Sequence, residues 1–363
     1  MTDPMNQEAR ATELAPGHAL QATRQSSDAT EYGPNGRPGR TVQPRRSTLL
    51  REASDRQPAP LSDSEVSSLL QSLGARDLAI LTALHQYRYL DLGQLMSLFF
   101  SDRRSCQSRL KKLRESRLVH RWLRIERPGR RCSDSVFLLS RPGATLLADW
   151  RNENKDAFIR RADEAWNKCF HVLHDLEANG FFIEIATASS QIPFEGLYHW
   201  AGEATARAIY RQQKAALAPD GWGRYLHPGK EISFFLEWDR ATESPHRLRA
   251  KVMTYVTHFA SVGEFAGLHN VIFVAPTEVR EDAIQGVIET CLQSVASTCS
   301  FWTTHVELVQ AVGALGRVWR GVGAGERICL TELPSAPRSK RPAGDCIAKP
   351  QWWVRRPGGG EVA

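Results

Sequence analysis

The sequence predicts an α/β protein of more than one domain, a helical winged helix-turn-helix followed by an α/β sandwich, with disordered tails. Three observations carry that expectation. A basic block reads as helices closed by a two-stranded ribbon, and the stretch after it alternates apolar strands with amphipathic helices. Both ends are rich in Pro, Gly, Ser and Arg and lack apolar periodicity. The 363 residues, 42% apolar and 24% charged, are enough for a sizeable core and about two domains. The boundaries fall at 1–61 (disordered arm), 62–150 (DNA-binding domain), 151–312 (α/β domain) and 313–363 (basic, mostly flexible tail). No run approaches the ~18 uninterrupted apolar residues of a membrane span, and MTDPMNQEAR is no secretory leader. Seven scattered cysteines without a CxxC pair fit reduced thiols, so a cytoplasmic protein is expected and a disulfide scaffold is not.

In the first block, Leu78, Leu81, Ala83 and Leu84 recur at helical spacing. Asp91 caps a second helix whose Leu92, Leu95, Met96 and Phe99 form one stripe. Ser101 is the expected cap of a third helix, which buries Cys106, Leu110 and Leu113. At 100° per residue Arg104, Ser108 and Lys111 then face outward, with Gln107 at the edge. Strands at Leu118–Leu123 and Val136–Leu139 flank the basic loop Glu126–Asp134, and a fourth helix starts near Pro142.

The formal charge of +7 is unevenly spread. Residues 62–150 carry 15 basic and 9 acidic side chains, and residues 100–131 alone carry 12 and 3. Residues 151–312 carry 15 and 20, and residues 313–363 carry 9 and 4. A solvated helix face is the common origin of a charge run. Its coincidence with a helix-turn-helix pattern favours double-stranded DNA as the partner. Arg103, Arg104, Gln107, Ser108 and Lys111 are the candidate base-reading residues. Arg127, Arg130 and Arg131 of the loop are expected to grip phosphates.

In the second block a helix is expected from Asp156 to about Asn179, then a strand at Phe181–Ala186. Gly196–Glu203 stays unassigned. Glu231–Asp239 reads as a central strand, and Ser244 caps a helix running to about Phe259. A strand at Val271–Ala275, a helix from Glu278 to Val295 and an edge strand at Val306–Val309 complete the layout.

Glu237 and Asp239 lie two apart on a strand, so both carboxylates project from one face. Pro219-Asp220 just ahead brings a third carboxylate into reach, an oxygen-rich set suited to Mg²⁺, with Lys251 as a charge stabiliser from the next helix. Asp220 and Glu237 are the candidate metal ligands, and Glu237, Asp239 and Lys251 the candidate catalytic residues. The alternative is that these carboxylates are solvated or paired with neighbours such as Arg240. His171, His174 and Asp175 form a weaker HxxHD cluster, more in keeping with a core edge than a metal site. No nucleophilic triad and no phosphate-binding glycine loop is present.

The combination of ILTALHQYRYLDLGQLMSLFF, RLKKLRESRLVHR, FLLSRPGATLLA, LHDLEAN, WAGE, Pro219-Asp220, FFLEWDRATES and Lys251 with Tyr255 resembles the replication-relaxation family of bacterial plasmids and mobile elements. The resemblance covers roughly residues 75–275. It implies a DNA-binding accessory protein of replication or transfer, with a relaxase or replication proteins as partners; a homodimer is compatible with it. The second half also resembles restriction-endonuclease-like domains, which implies a metal-dependent endonuclease or nickase as the alternative. A transcriptional regulator is the third reading. Asp239 stands where the nuclease pattern has lysine, which favours an inactive, DNA-binding version of that fold unless Lys251 substitutes from the helix; the sequence also has Ala241 where the family is expected to have glycine and Gly180 where it often has an acidic residue.

Overall fold

The computed structural model describes residues 48–51, 57–125, 135–167, 172–190, 192–212, 217–262, 269–295, 297 and 299–337, and among these residues it is a mixed α/β protein of eleven α-helices and two sheets. The chain begins with β1 (Thr48–Arg51), α1 (Asp63–Ser72), α2 (Ala75–Tyr87), β2 (Leu90–Asp91), α3 (Leu92–Phe99) and α4 (Arg103–Glu115). It continues through β3 (Val119–Ile125), β4 (Val136–Leu139), α5 (Arg141–Arg151) and α6 (Lys155–Asn167). The strands form a small antiparallel sheet of order β1-β3-β4-β2. β1 falls within the span expected to be a disordered arm, and its pairing with β3 places it in this sheet.

Local rules set these helices. Asp91 caps α3 by accepting the Gln94 N–H at 2.8 Å. The cap of α4 is Asp102 and not the expected Ser101, because a carboxylate accepts the Ser105 N–H at 2.8 Å. Pro142 occupies the first turn of α5, capped by Ser140.

The remainder builds the large sheet: α7 (Val172–Ser189), β5 (Gly196–Gly202), α8 (Glu203–Gln212), β6 (Gly221–His227), β7 (Lys230–Trp238), α9 (Pro245–Val262), β8 (His269–Ala275), α10 (Glu278–Leu292) and β9 (Cys299–His305). After it come α11 (Val306–Val312), β10 (Trp319–Gly321), β11 (Arg327–Ile328) and β12 (Ala336–Pro337). The order is β11-β10-β9-β8-β7-β6-β5, with β12 against the start of β7. The central pairs β7–β8 and β8–β9 are parallel, each joined through a helix, while the flanking pairs are antiparallel.

Alternation along β7 assigns the two faces. Phe235 packs with Leu248, Val252, Val256 and Ile284 beneath α9 and α10. Phe234 and Leu236 join the other core, which runs without a break through Phe182 of α7 to Leu81, Leu95 and Leu110 of the helical part.

Two expected strands are helices. Phe181–Ala186 belongs to α7, whose Phe181, Phe182, Ile183, Ile185 and Ala186 are all buried. A helix enclosed on every side loses its polar stripe and reads like a buried strand. Val306–Val309 begins α11, and the strand beside it is β9. The single helix expected over 156–179 is instead two, α6 and α7. Residues 319–328, assigned from the sequence to the flexible tail, extend the large sheet through β10 and β11.

Candidate functional site

α4 buries Cys106, Leu110 and Leu113 and turns its charged face outward. Arg103, Arg104, Gln107, Ser108 and Lys111 are all exposed, as the 100° rotation requires. Lys112 and Arg76 are exposed as well and were not singled out from the sequence; Arg76 lies over the Phe100 ring at 5.1 Å. The thiol of Cys106 is pushed up to about 12 by burial, so it packs as a neutral side chain. One arginine of α4 turns inward. Arg109 grips both oxygens of Asp77, which is 1% exposed and also accepts the Gly74 N–H at 2.8 Å. That pair fixes the rotation of α4 against α2. Arg127, Arg130 and Arg131 lie outside the described residues.

A second constellation sits where β6 and β7 meet α7 and α9. Asp220 accepts the Trp238 N–H at 2.8 Å, and His174 Nε2 approaches its Oδ2 at 3.2 Å. Burial alone would raise the Asp220 carboxyl, but the His174 and Lys251 cations hold it below the usual carboxylate range. Burial likewise works against protonation of His174, yet Asp175 and Asp220 push its pKa up to about 10. Glu237 is 2% exposed, with Tyr255 donating to Oε1 at 2.5 Å and Lys251 Nζ standing 2.8 Å from Oε2. Desolvation pushes the Glu237 carboxyl up to about 7, opposed by Lys251 and reinforced by Asp220. Lys251 also meets Glu243 at 3.1 Å.

Asp239 projects to the same side of β7 as Glu237, as the two-residue period requires, but meets another helix. Arg280 of α10 holds both its oxygens, at 2.7 and 2.9 Å. The same carboxylate accepts the N–H of Ala241, whose φ of +55° is a left-handed conformation that glycine adopts more readily. Arg240, the neighbour weighed as a partner for these carboxylates, pairs instead with Glu177 at 3.1 Å. His174 is engaged with Asp220; His171 lies outside the described residues.

The expected Mg²⁺ ligands therefore fit a divalent ion poorly in this arrangement. Glu237 Oε1 accepts from Tyr255 and its Oε2, which has no hydrogen-bond donor, stands against the Lys251 ammonium, Asp220 accepts a backbone N–H and faces His174, and Asp239 is committed to Arg280. Among the described residues no three His, Cys, Asp or Glu side chains are grouped to hold a metal ion.

α7 joins the two constellations. Its Asp175 and the Glu203 carboxylate of α8 each lie 3.3 Å from the Arg88 guanidinium. Asn179 donates to the carbonyls of Tyr87 and Tyr89 at 3.1 Å, and Gln94 donates to the Leu176 carbonyl at 2.7 Å. Arg88, Asp175, Asn179, Glu203 and Asp220 line one narrow cleft there. No local motif announced it, because its residues come from four separate segments.

Among the described residues no helix is long and apolar enough to cross a membrane. Compared with known families, residues 81–274, more than half of the chain, match the replication-relaxation family. A search of curated proteins gave no match.

Proposed function

This chain belongs to the replication-relaxation family, and from that membership we propose that it is a DNA-binding accessory protein of plasmid or mobile-element replication and transfer. In this reading residues 62–150 act as a winged helix-turn-helix, and α4 enters the major groove of duplex DNA. The observation that carries it is the outward face of α4, where Arg104, Gln107, Ser108 and Lys111 are exposed together on a helix held by a half-buried ion pair. Planar guanidinium and amide groups suit the edges of guanine and adenine, and the lysines suit phosphates. The protein works in the cytoplasm, with relaxase or replication proteins as neighbours in the assembly.

A gel-shift titration on plasmid-derived duplexes across salt tests the reading. Binding should weaken steeply as salt rises. Arg104→Ala combined with Lys111→Ala should weaken it by about tenfold or more. Binding absent at low salt, or unmoved by the double substitution, overturns the reading.

The competing reading is a metal-dependent endonuclease or nickase, with Asp220 and Glu237 binding Mg²⁺ and Asp239 and Lys251 assisting. Its support is the meeting of Asp220, Glu237 and Lys251 in one pocket. It expects supercoiled plasmid to be nicked in Mg²⁺ or Mn²⁺ and protected by Glu237→Ala. A transcriptional regulator would use the same helix at its own promoter, where footprinting would reveal it.

A further inference from the structure

We propose that the ammonium group of Lys251 holds the place of a divalent cation in the Asp220–Glu237 pocket, so that a side chain of the protein closes it. This inference does not depend on DNA binding and bears directly on the competing nuclease reading.

The backbone forces the two carboxylates together. Asp220 N–H donates to the Leu236 carbonyl at 3.0 Å, and Gly221 is in register with Leu236, so Asp220 sits beside the strand that carries Glu237. Two carboxylates sharing a buried site repel each other strongly unless a cation stands between them or one takes up a proton. α9 supplies the cation. Lys251 and Tyr255 are four residues apart, hence on one stripe of the helix, and both reach Glu237. The Lys251 side chain is 27% exposed, whereas that of Glu237 beside it is 2% exposed.

The local charges then nearly balance. Asp220 faces His174, Glu237 and Glu243 share Lys251, and Asp239 is matched by Arg280. A hard divalent ion asks for about six oxygen ligands with free lone pairs. Here the oxygens already accept from Tyr255, the Trp238 amide and Arg280, and the remaining Glu237 oxygen, Oε2, is held against the Lys251 ammonium by charge at 2.8 Å. An added double charge would have to displace Lys251. Removing the ammonium should have the opposite effect: Glu237 and Glu243 lose the cation they share, and Glu237 beside Asp220 becomes a place a metal can enter.

Mn²⁺ binding to the purified full-length protein tests this, read by loss of the free Mn²⁺ electron paramagnetic resonance signal and by melting at matched ionic strength. The wild type should leave the Mn²⁺ signal and its Tm unchanged. Lys251→Gln should bind about one equivalent and gain a saturable Tm rise of a few degrees. Lys251→Gln with Glu237→Gln should lose both effects. Stoichiometric Mn²⁺ binding by the wild type that Glu237→Gln abolishes overturns the proposal. So does a folded Lys251→Gln protein that ignores Mn²⁺. Should Lys251→Gln be unfolded without metal, recovery of its circular dichroism on adding Mn²⁺ supports the proposal, and failure to recover overturns it.

Discussion

One missing methyl group decides how the closing helix of the basic part docks. A Cβ on Gly143 would lie 2.2 Å from the Leu118 carbonyl oxygen and 2.7 Å from Leu139 Cδ1, inside any tolerable contact. That oxygen accepts the Ser140 N–H at 3.2 Å and cannot retreat without breaking the cap of α5. Gly143→Ala should therefore cost about 3 kcal/mol in urea unfolding, an overpacking penalty focused on backbone. Three histidines contribute to the pH response in opposite directions. Burial, reinforced by Arg161 and Arg151, pushes His85 down to about 3, and burial with Arg224 pushes His199 down to about 4. Both stay neutral when folded but charge when unfolded below about 6.5, so stability is lost as pH falls through that range. His174 behaves oppositely: burial disfavours its charge, but Asp175 and Asp220 raise it to about 10. Its contribution is complete below about 6.5 and is lost as pH rises toward 10. Thermal melts should show a maximum near neutrality, with His174→Gln flattening the alkaline limb and His85→Phe the acid limb. An unchanged alkaline limb in His174→Gln would remove His174 from this account.

Elements were legible where one periodic stripe faced one neighbour. α3, α4, β7, β8, α9 and α10 fall close to where spacing and caps put them. The meeting of Glu237 with Lys251 was legible too, because a strand followed by one helix brought them together, whereas Asp239 left that group for Arg280. The partners that decide their chemistry were not. Arg280 lies 41 residues from Asp239, and a lone arginine in a helix gives no local sign of its mate. The Phe181–Ala186 part of α7 was misread because its apolar residues run almost without a break, and β5, β6 and β9 were missed because aromatic, glycine and histidine interruptions break their alternation. The β10–β11 hairpin was hidden for another reason: its anchor is the carboxylate of Glu281 on α10. Glu281 is fully buried and accepts from Thr303, His305 and Arg327, with Arg320 at 3.3 Å. Glu281→Gln should cost about 3 kcal/mol, since it leaves two arginines facing a neutral amide. Hydrogen exchange should rise first at Trp319–Gly321. A uniform rise across the sheet would show the carboxylate to be no special anchor for that hairpin.

At the scale of the whole molecule, the sequence charges gain a different meaning. The excess acidity of residues 151–312 is largely spent inside the fold, as Asp175, Glu203, Asp220, Glu237, Asp239 and Glu281 all stand against cations. Arg103, Arg104, Lys111 and Lys112 of α4 remain outward. A protein arranged this way keeps a positive face toward solvent while its negative groups hold the interior together, the charge layout that the proposed DNA-binding role calls for. α7 is central to that arrangement, since one side of it bonds to the α2–α3 junction and the other to Asp220 and the Trp238 carbonyl. A helix shared as a common wall has a consequence for heredity. Recombination that exchanged only the helical part between relatives would mismatch Arg88, Asn179 and Gln94 with their partners, leaving buried polar groups unanswered. The two parts should therefore be inherited as a unit, and on the proposed DNA-binding reading a new DNA site would be acquired by changing the outward residues of α4 in place.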